Sequence, residues 1–162
     1  MKQARAPAIR ALTLEEWESV MQSGQGDWLL FDIAACDGDF LIVERAGQLL
    51  AYLQRCPHES RPEWHVFNRL ETRPHYRRRG YARMLVERAI SDSGAELVIA
   101  RGVLSSSAPF WRHLGFEPDG YGADIDQGVR YSEGNYCWTP QMKTIHDGKD
   151  QTHHDRRHTY QP

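Results

Sequence analysis

At 162 residues, with 40% hydrophobic residues and five Trp, seven Tyr and five Phe, the chain is long enough to bury a real core and fits one folded domain. A formal net charge of -2 gives no global pull toward nucleic acid or a membrane surface, so nucleic acid is not the expected partner. Three cysteines, Cys36, Cys56 and Cys137, are odd in number, far apart and without a CxxC, which argues against a disulfide framework and a zinc site and for a reducing, cytoplasmic setting; no metal is expected. Lys2 and Arg5 precede no apolar run, and no stretch approaches 18 uncharged apolar residues, so neither export nor membrane insertion is signalled.

In chain order, residues 8 to 12 read as a first strand, and Thr13 as a helix N-cap with Glu16 completing a capping box. Trp17, Val20 and Met21 supply that helix's buried stripe, and Gly24 and Gly26 end it. Trp28 to Phe31 fits a short buried helix or a strand equally well. Asp37-Gly38-Asp39 reads as a turn, followed by strands at 40 to 44 and 49 to 54 joined at Ala46-Gly47, the clearest hairpin in the sequence. Cys56 to Pro62, with two prolines, predicts a loop before a strand from about Glu63 to Thr72. Simple alternation along that strand puts Val66, Asn68, Leu70 and Thr72 on one face and His65, Phe67, Arg69 and Glu71 on the other.

A Pro-containing turn and a basic loop come next, closed by Gly80, and then an amphipathic helix whose stripe includes Tyr81, Leu85 and Ala89 and which stops at Ser93-Gly94. The apolar run 95 to 100 suits a buried parallel strand, making a βαβ unit. Ser105 to Ser107 are expected to cap a helix running through His113 and ended by Leu114-Gly115. Residues 121 to 127 read as a polar loop, and 129 to 142 as one or two closing strands. The last twenty residues hold four of the eight His and almost nothing apolar, so the expected organisation is one domain over 1–142 and a flexible polar His-rich tail over 143–162.

The stretch 70 to 90 carries the chemistry. A helix start leaves unpaired backbone N–H groups and about half a positive elementary charge, and Arg73, Arg77, Arg78, Arg79 and Arg83 crowd around this one, so an anion is expected there. The spacing Arg77-x-x-Gly80-x-Ala82 resembles the pyrophosphate-binding motif of the GNAT superfamily of acyl-CoA-dependent N-acetyltransferases. Thr72-Arg73-Pro74 sits where that family carries Val-x-Pro. About thirty residues on, Phe110-Trp111-Arg112-His113-Leu114-Gly115-Phe116 is similar to the family's later motif, an aromatic pair followed by two variable residues and Leu-Gly-Phe.

The resemblance spans roughly residues 9 to 142. It implies an α/β fold with a mixed, mostly antiparallel central sheet, a splayed parallel strand pair and flanking helices. It implies acetyl-CoA as acyl donor, an amine acceptor on a small molecule or a peptide, direct attack in a ternary complex, and a monomer or homodimer. The diphosphate would lie on Arg77, Arg78, Arg79, Gly80, Tyr81, Ala82 and Arg83. The pantetheine would follow Leu70, Glu71 and Thr72 with Phe110 and Trp111 packed on it, and the Leu70 N–H would polarise the thioester carbonyl. The region near Trp28 would wall the acceptor site.

The family's usual glutamate base falls at Val66 and its tyrosine acid at Trp111, neither of which can do that work. That leaves His65 as a candidate base and Asn68 as a residue able to position a water. Trp28, Phe31, Trp64, Tyr121, Tyr131, Tyr136 and Trp138 are candidate acceptor walls, with Asp124 and Asp126 in a late loop. Two alternatives stay open: a non-catalytic acyl-CoA-binding regulatory module, and an acyltransferase acting on a tRNA-borne amine.

Overall fold

The computed structural model describes residues 6–25, 27–28, 38–120 and 133–141. Its contacts fall into two compact units, Met1–Arg101 and Gly102–Pro162.

In the first unit, β1 (Ala8–Leu12) leads to α1 (Leu14–Gln22), then β2 (Asp39–Arg45), β3 (Gln48–His58), β4 (Arg61–Thr72), a 3-10 turn at Pro74–Tyr76, α2 (Tyr81–Ser93) and β5 (Leu97–Ala100). The strands pair in sequence order. Three antiparallel pairings join β1 through β4, and β5 joins β4 in parallel, so the sheet is mixed and mostly antiparallel as expected.

The capping box forms as read: Glu16 N–H donates to Thr13 Oγ1 at 3.2 Å, and Thr13 N–H donates to the Glu16 carboxylate at 2.8 Å. α1 lays Trp17 on one sheet face, where it stacks on Phe40 at 4.4 Å between centroids and joins Leu12, Ile42, Leu49 and Tyr52 in a buried cluster. Leu85, Val86 and Ala89 of α2 are fully buried, and α2 packs on β2, β3 and β4. Gly94 ends α2 with φ of 58°, the left-handed cap expected.

The predicted loop at 56 to 62 is instead strand. β3 continues to His58, the turn takes only Glu59 and Ser60, and Pro57 pairs with His65. Proline fits because the pairing of β2 with β3 ends at Asp39↔Arg55, and among the described residues no strand beyond that point needs the missing N–H.

Alternation along β4 is corrected too. The register slips between Gln54↔Arg69 and Arg55↔Phe67, leaving Asn68 as an inserted residue. One inserted residue reverses every later side chain relative to simple alternation. Arg69 and Glu71 therefore lie on the α1 face opposite Gln54 and Tyr52, while Leu70 and Thr72 share the α2 face with His65 and Phe67.

The second unit contains α3 (Ala108–His113), β6 (Glu117–Pro118) and β7 (Tyr136–Trp138), the last two paired antiparallel. Ser107 holds the N-cap position but makes no side-chain cap. Its hydroxyl donates back to the Leu104 carbonyl, which replaces the expected capping interaction. The predicted loop at 121 to 127, residues 129–132 and 142 of the closing segment, and the tail over 143–162 lie outside the described residues. Among the described residues, no helix is long and apolar enough to cross a membrane.

Candidate active site

The basic loop is built around backbone conformation. Gly80, at φ of 84°, is the residue before α2, and it offers no side chain to the first-turn amides. A Cβ added there would meet no atom within 4 Å, so glycine is required by the left-handed φ and leaves open space in front of the helix start. Arg78 also has a positive φ, 60°, a conformation a non-glycine residue adopts at a cost.

The arginines are spread around this opening. Arg77 Nε donates to the Thr72 carbonyl at 3.2 Å, the Arg79 guanidinium lies 5.2 Å from the Tyr76 ring centroid, and Arg83 pairs with Glu87 at 2.7 Å one turn along α2. Arg77, Arg78, Arg79 and Gly80 are all exposed. The result is a positive rim around bare helix-start amides, the donor set an oxyanion requires.

The register of β4 settles where its backbone groups point. Arg73 N–H donates to the Leu50 carbonyl at 2.8 Å, which marks that position as a hydrogen-bonded pair. By antiparallel alternation Glu71 and Arg69 also turn their N–H and C=O toward β3, whereas those of Leu70 and Thr72 point away from it. On that side the parallel pairing with β5 ends at Phe67↔Ala100, with Arg101 N–H donating to the Phe67 carbonyl one step further. Leu70 thus presents its N–H at the strand edge beyond the pairing, next to the basic loop. Glu71, expected with Leu70 and Thr72 on the pantetheine, spends its backbone on β3 and projects its side chain to the α1 face.

His65 lies on the α2 face and opens on a cavity of about 560 Å³ with Arg55, Cys56, Asp92, Ser93 and Leu14 in its lining. Burial, and then the Arg55 charge, push its pKa below the usual histidine value, which favours the neutral ring; its Nδ1 is buried with no hydrogen-bond partner among the described residues. It stands five residues before Leu70, roughly 15 Å along the strand. Asn68, the inserted residue, donates from Nδ2 to Cys56 Sγ at 3.3 Å. Val66 is 1% exposed and part of the core.

The pair that pattern reading missed is Tyr52 and Glu71. The Tyr52 hydroxyl donates to Glu71 Oε1 at 3.1 Å across the β3–β4 pairing. Burial, followed by the Glu71 charge and hydrogen bond, pushes the phenol far above its ordinary pKa, so it remains a donor at any working pH. The available signal was a tyrosine inside an apolar strand run, whose hydroxyl must find a partner when buried.

In the second unit, Trp111 is 6% exposed and makes edge contacts with Phe110 and Phe116 at 5.2 and 4.9 Å. Tyr136 and Trp138 are buried as well. Arg112 Nη2 donates to the Tyr136 hydroxyl at 2.6 Å and to Glu133 at 2.8 Å, while the Tyr136 hydroxyl donates to Glu133. Trp64, another expected wall residue, packs with His58 and under Arg61 at the start of β4. Phe31, Tyr121, Asp124, Asp126 and Tyr131 lie outside the described residues. Among the described residues no cluster of three or more His, Cys, Asp or Glu could hold a metal ion.

A family model described as an acetyltransferase (GNAT) domain matches residues 36–118. An uncharacterised N-acetyltransferase of Shouchella clausii is 40% identical over 73 residues, 45% of this chain and 40% of that protein, so the match spans well under two thirds of the relative. An N-acetyltransferase structure from Staphylococcus aureus aligns with a TM-score of 0.62 and 12% identity over 83% of this chain and 99% of its own. A GNAT family acetyltransferase from Brucella melitensis, solved in complex with acetyl-CoA, aligns at 0.55 and 14% over 83% and 88%. At such identities the structures speak for a shared fold.

Proposed function

The chain belongs to the GNAT acetyltransferase family, and from that premise we propose that it transfers acetyl from acetyl-CoA to a primary amine by direct attack in a ternary complex. One observation carries the reading. The uncapped start of α2, opened by Gly80 and rimmed by exposed arginines, adjoins the strand edge where Leu70 and Thr72 turn their backbone groups outward.

These residues fit the donor. The first-turn amides of α2, with Arg77, Arg78 and Arg79, would hold a diphosphate, and the outward groups of Leu70 and Thr72 would bond the amides of an extended arm. Acetyl-CoA supplies an activated thioester with a thiol leaving group. The Leu70 N–H is a fixed donor for the oxygen on which negative charge develops during attack. At roughly 15 Å from Leu70, His65 lies beyond the reach of a proton transfer through one water, and the buried indole of Trp111 has no proton to give a thiolate. Solvent is therefore the proton source for the leaving group in this reading. A cytoplasmic setting belongs to the same proposal, supported by unpaired thiols at Cys56 and Cys137.

The test is an amine panel with acetyl-CoA and free-thiol detection, alongside calorimetry with CoA. Micromolar CoA binding and amine-dependent thiol release are expected. Absence of CoA binding to the folded protein overturns the reading.

A further inference from the structure

We propose that Glu71, held by Tyr52, is the group that receives the amine of the acceptor, and that the acceptor also carries a carbonyl or carboxylate oxygen, met by Gln54 and Trp28. The inference rests on the transferase reading for its context and names that site's substrate class.

The β4 insertion at Asn68 turns the Glu71 side chain onto the α1 face, directly after Leu70, whose N–H faces the strand edge. A carboxylate is thereby set one residue from the proposed oxyanion donor. Tyr52 donates to one oxygen of that carboxylate at 3.1 Å and fixes its orientation, and an ionised carboxylate has several lone pairs with which to accept from an ammonium. The Tyr52 and Trp28 rings, with centroids 6.2 Å apart, supply aromatic surroundings favourable to a cation.

The same face carries two unsatisfied donors. Gln54 is 1% exposed and its Nε2 has no hydrogen-bond partner among the described residues; the buried Nε1 of Trp28 is in the same condition. Gln54 lies two residues after Tyr52 on β3, opposite Arg69, and the Trp28 ring packs beside Tyr52. Buried donors without acceptors are costly, and both of these need oxygen. Negative charge at Glu71, with unpaired donors and the positive charge of Arg69 nearby, describes a ligand that is cationic at one end and oxygen-bearing at the other. An α-amino acid, an amino amide or a peptide amino terminus has that chemistry, and a plain alkylamine does not.

Alanine amide and butylamine are the probes, assayed with acetyl-CoA by thiol release and by calorimetry on the CoA-saturated protein. Alanine amide should exceed butylamine at least tenfold in kcat/KM. Glu71→Gln should raise KM for both at least tenfold with CoA affinity within twofold of the parent, and Gln54→Leu should erase the preference for the amide while sparing butylamine. If Glu71→Gln fails to fold, Tyr52→Phe keeps the ring and releases the carboxylate, and should raise the same KM severalfold. Unchanged amine KM in the folded Glu71 or Tyr52 variant overturns the proposal, as does equal use of the two probes by the parent. Glu71-dependent binding of alanine amide without thiol release leaves the subsite standing and removes the transfer reading. Failure of alanine amide to bind the CoA-saturated parent removes the subsite.

Discussion

Replacing Gly80 by Asn and by Asp separates backbone strain from charge at the start of α2. Both residues would take φ of 84° with no atom in the way of their Cβ, so both incur the same left-handed cost, about 1–2 kcal/mol at most. For a chain of this size that is a fall of a few degrees in Tm, about 2–4 °C per kcal/mol. The two differ by one negative charge placed among amides that would otherwise face a diphosphate. A pair of unit charges about 4 Å apart in water-like screening is worth about 1 kcal/mol. A diphosphate carries more than one charge, so Gly80→Asp should bind CoA at least about tenfold more weakly than Gly80→Asn, a difference of about 1.4 kcal/mol. Calorimetry at low and high salt reads both affinities, and the gap should narrow with salt. Equal CoA affinities for two equally folded variants would refute the placement of an anion at this helix start.

Gly38→Ala should cost about 1–3 kcal/mol in chemical denaturation, because its Cβ would lie 2.4 Å from the Arg55 carbonyl oxygen, and a backbone neighbour cannot step aside; an unchanged midpoint contradicts this. Trp111→Phe should lower stability by about 1–2 kcal/mol through lost contact with Phe110 and Phe116. Its turnover should fall less than about tenfold, since no proton transfer depends on the indole; abolished transfer with normal CoA binding would give the indole a catalytic role and refute this. His65 is held below its ordinary pKa by burial and by Arg55, so the unfolded chain takes up a proton that the fold resists. The corresponding stability is present above about pH 6.5 and is lost as pH falls through the folded value. Melting curves between pH 7.5 and 5 should show a shallower decline for His65→Gln than for the parent, and equally steep curves count against this environment for His65.

Local chemistry was legible in the sequence. Thr13 and Glu16 announce a capping box because both partners lie within one helical turn, and Ala46-Gly47 between apolar runs announces the β2–β3 hairpin. Gly80 before an amphipathic stripe announces the start of α2 because glycine and stripe are consecutive in the chain. The spacing of Arg77, Gly80 and Ala82 carried the family because a backbone grip on a diphosphate constrains adjacent residues. What required the third dimension were the places where strands register against one another. Pro57 reads as a loop until β3 is seen extending past the end of its β2 pairing. The insertion at Asn68 has no signature in a list of alternating residues, since a bulge is a mismatch between two strands and belongs to neither alone. That one slip reverses the faces of Leu70, Glu71 and Thr72, turning Glu71 toward Tyr52, nineteen residues away in sequence. The cavity beside His65 is likewise assembled from α1, β3, β4 and α2. Sequence determines what each segment can grip; only packing decides which faces of those segments meet.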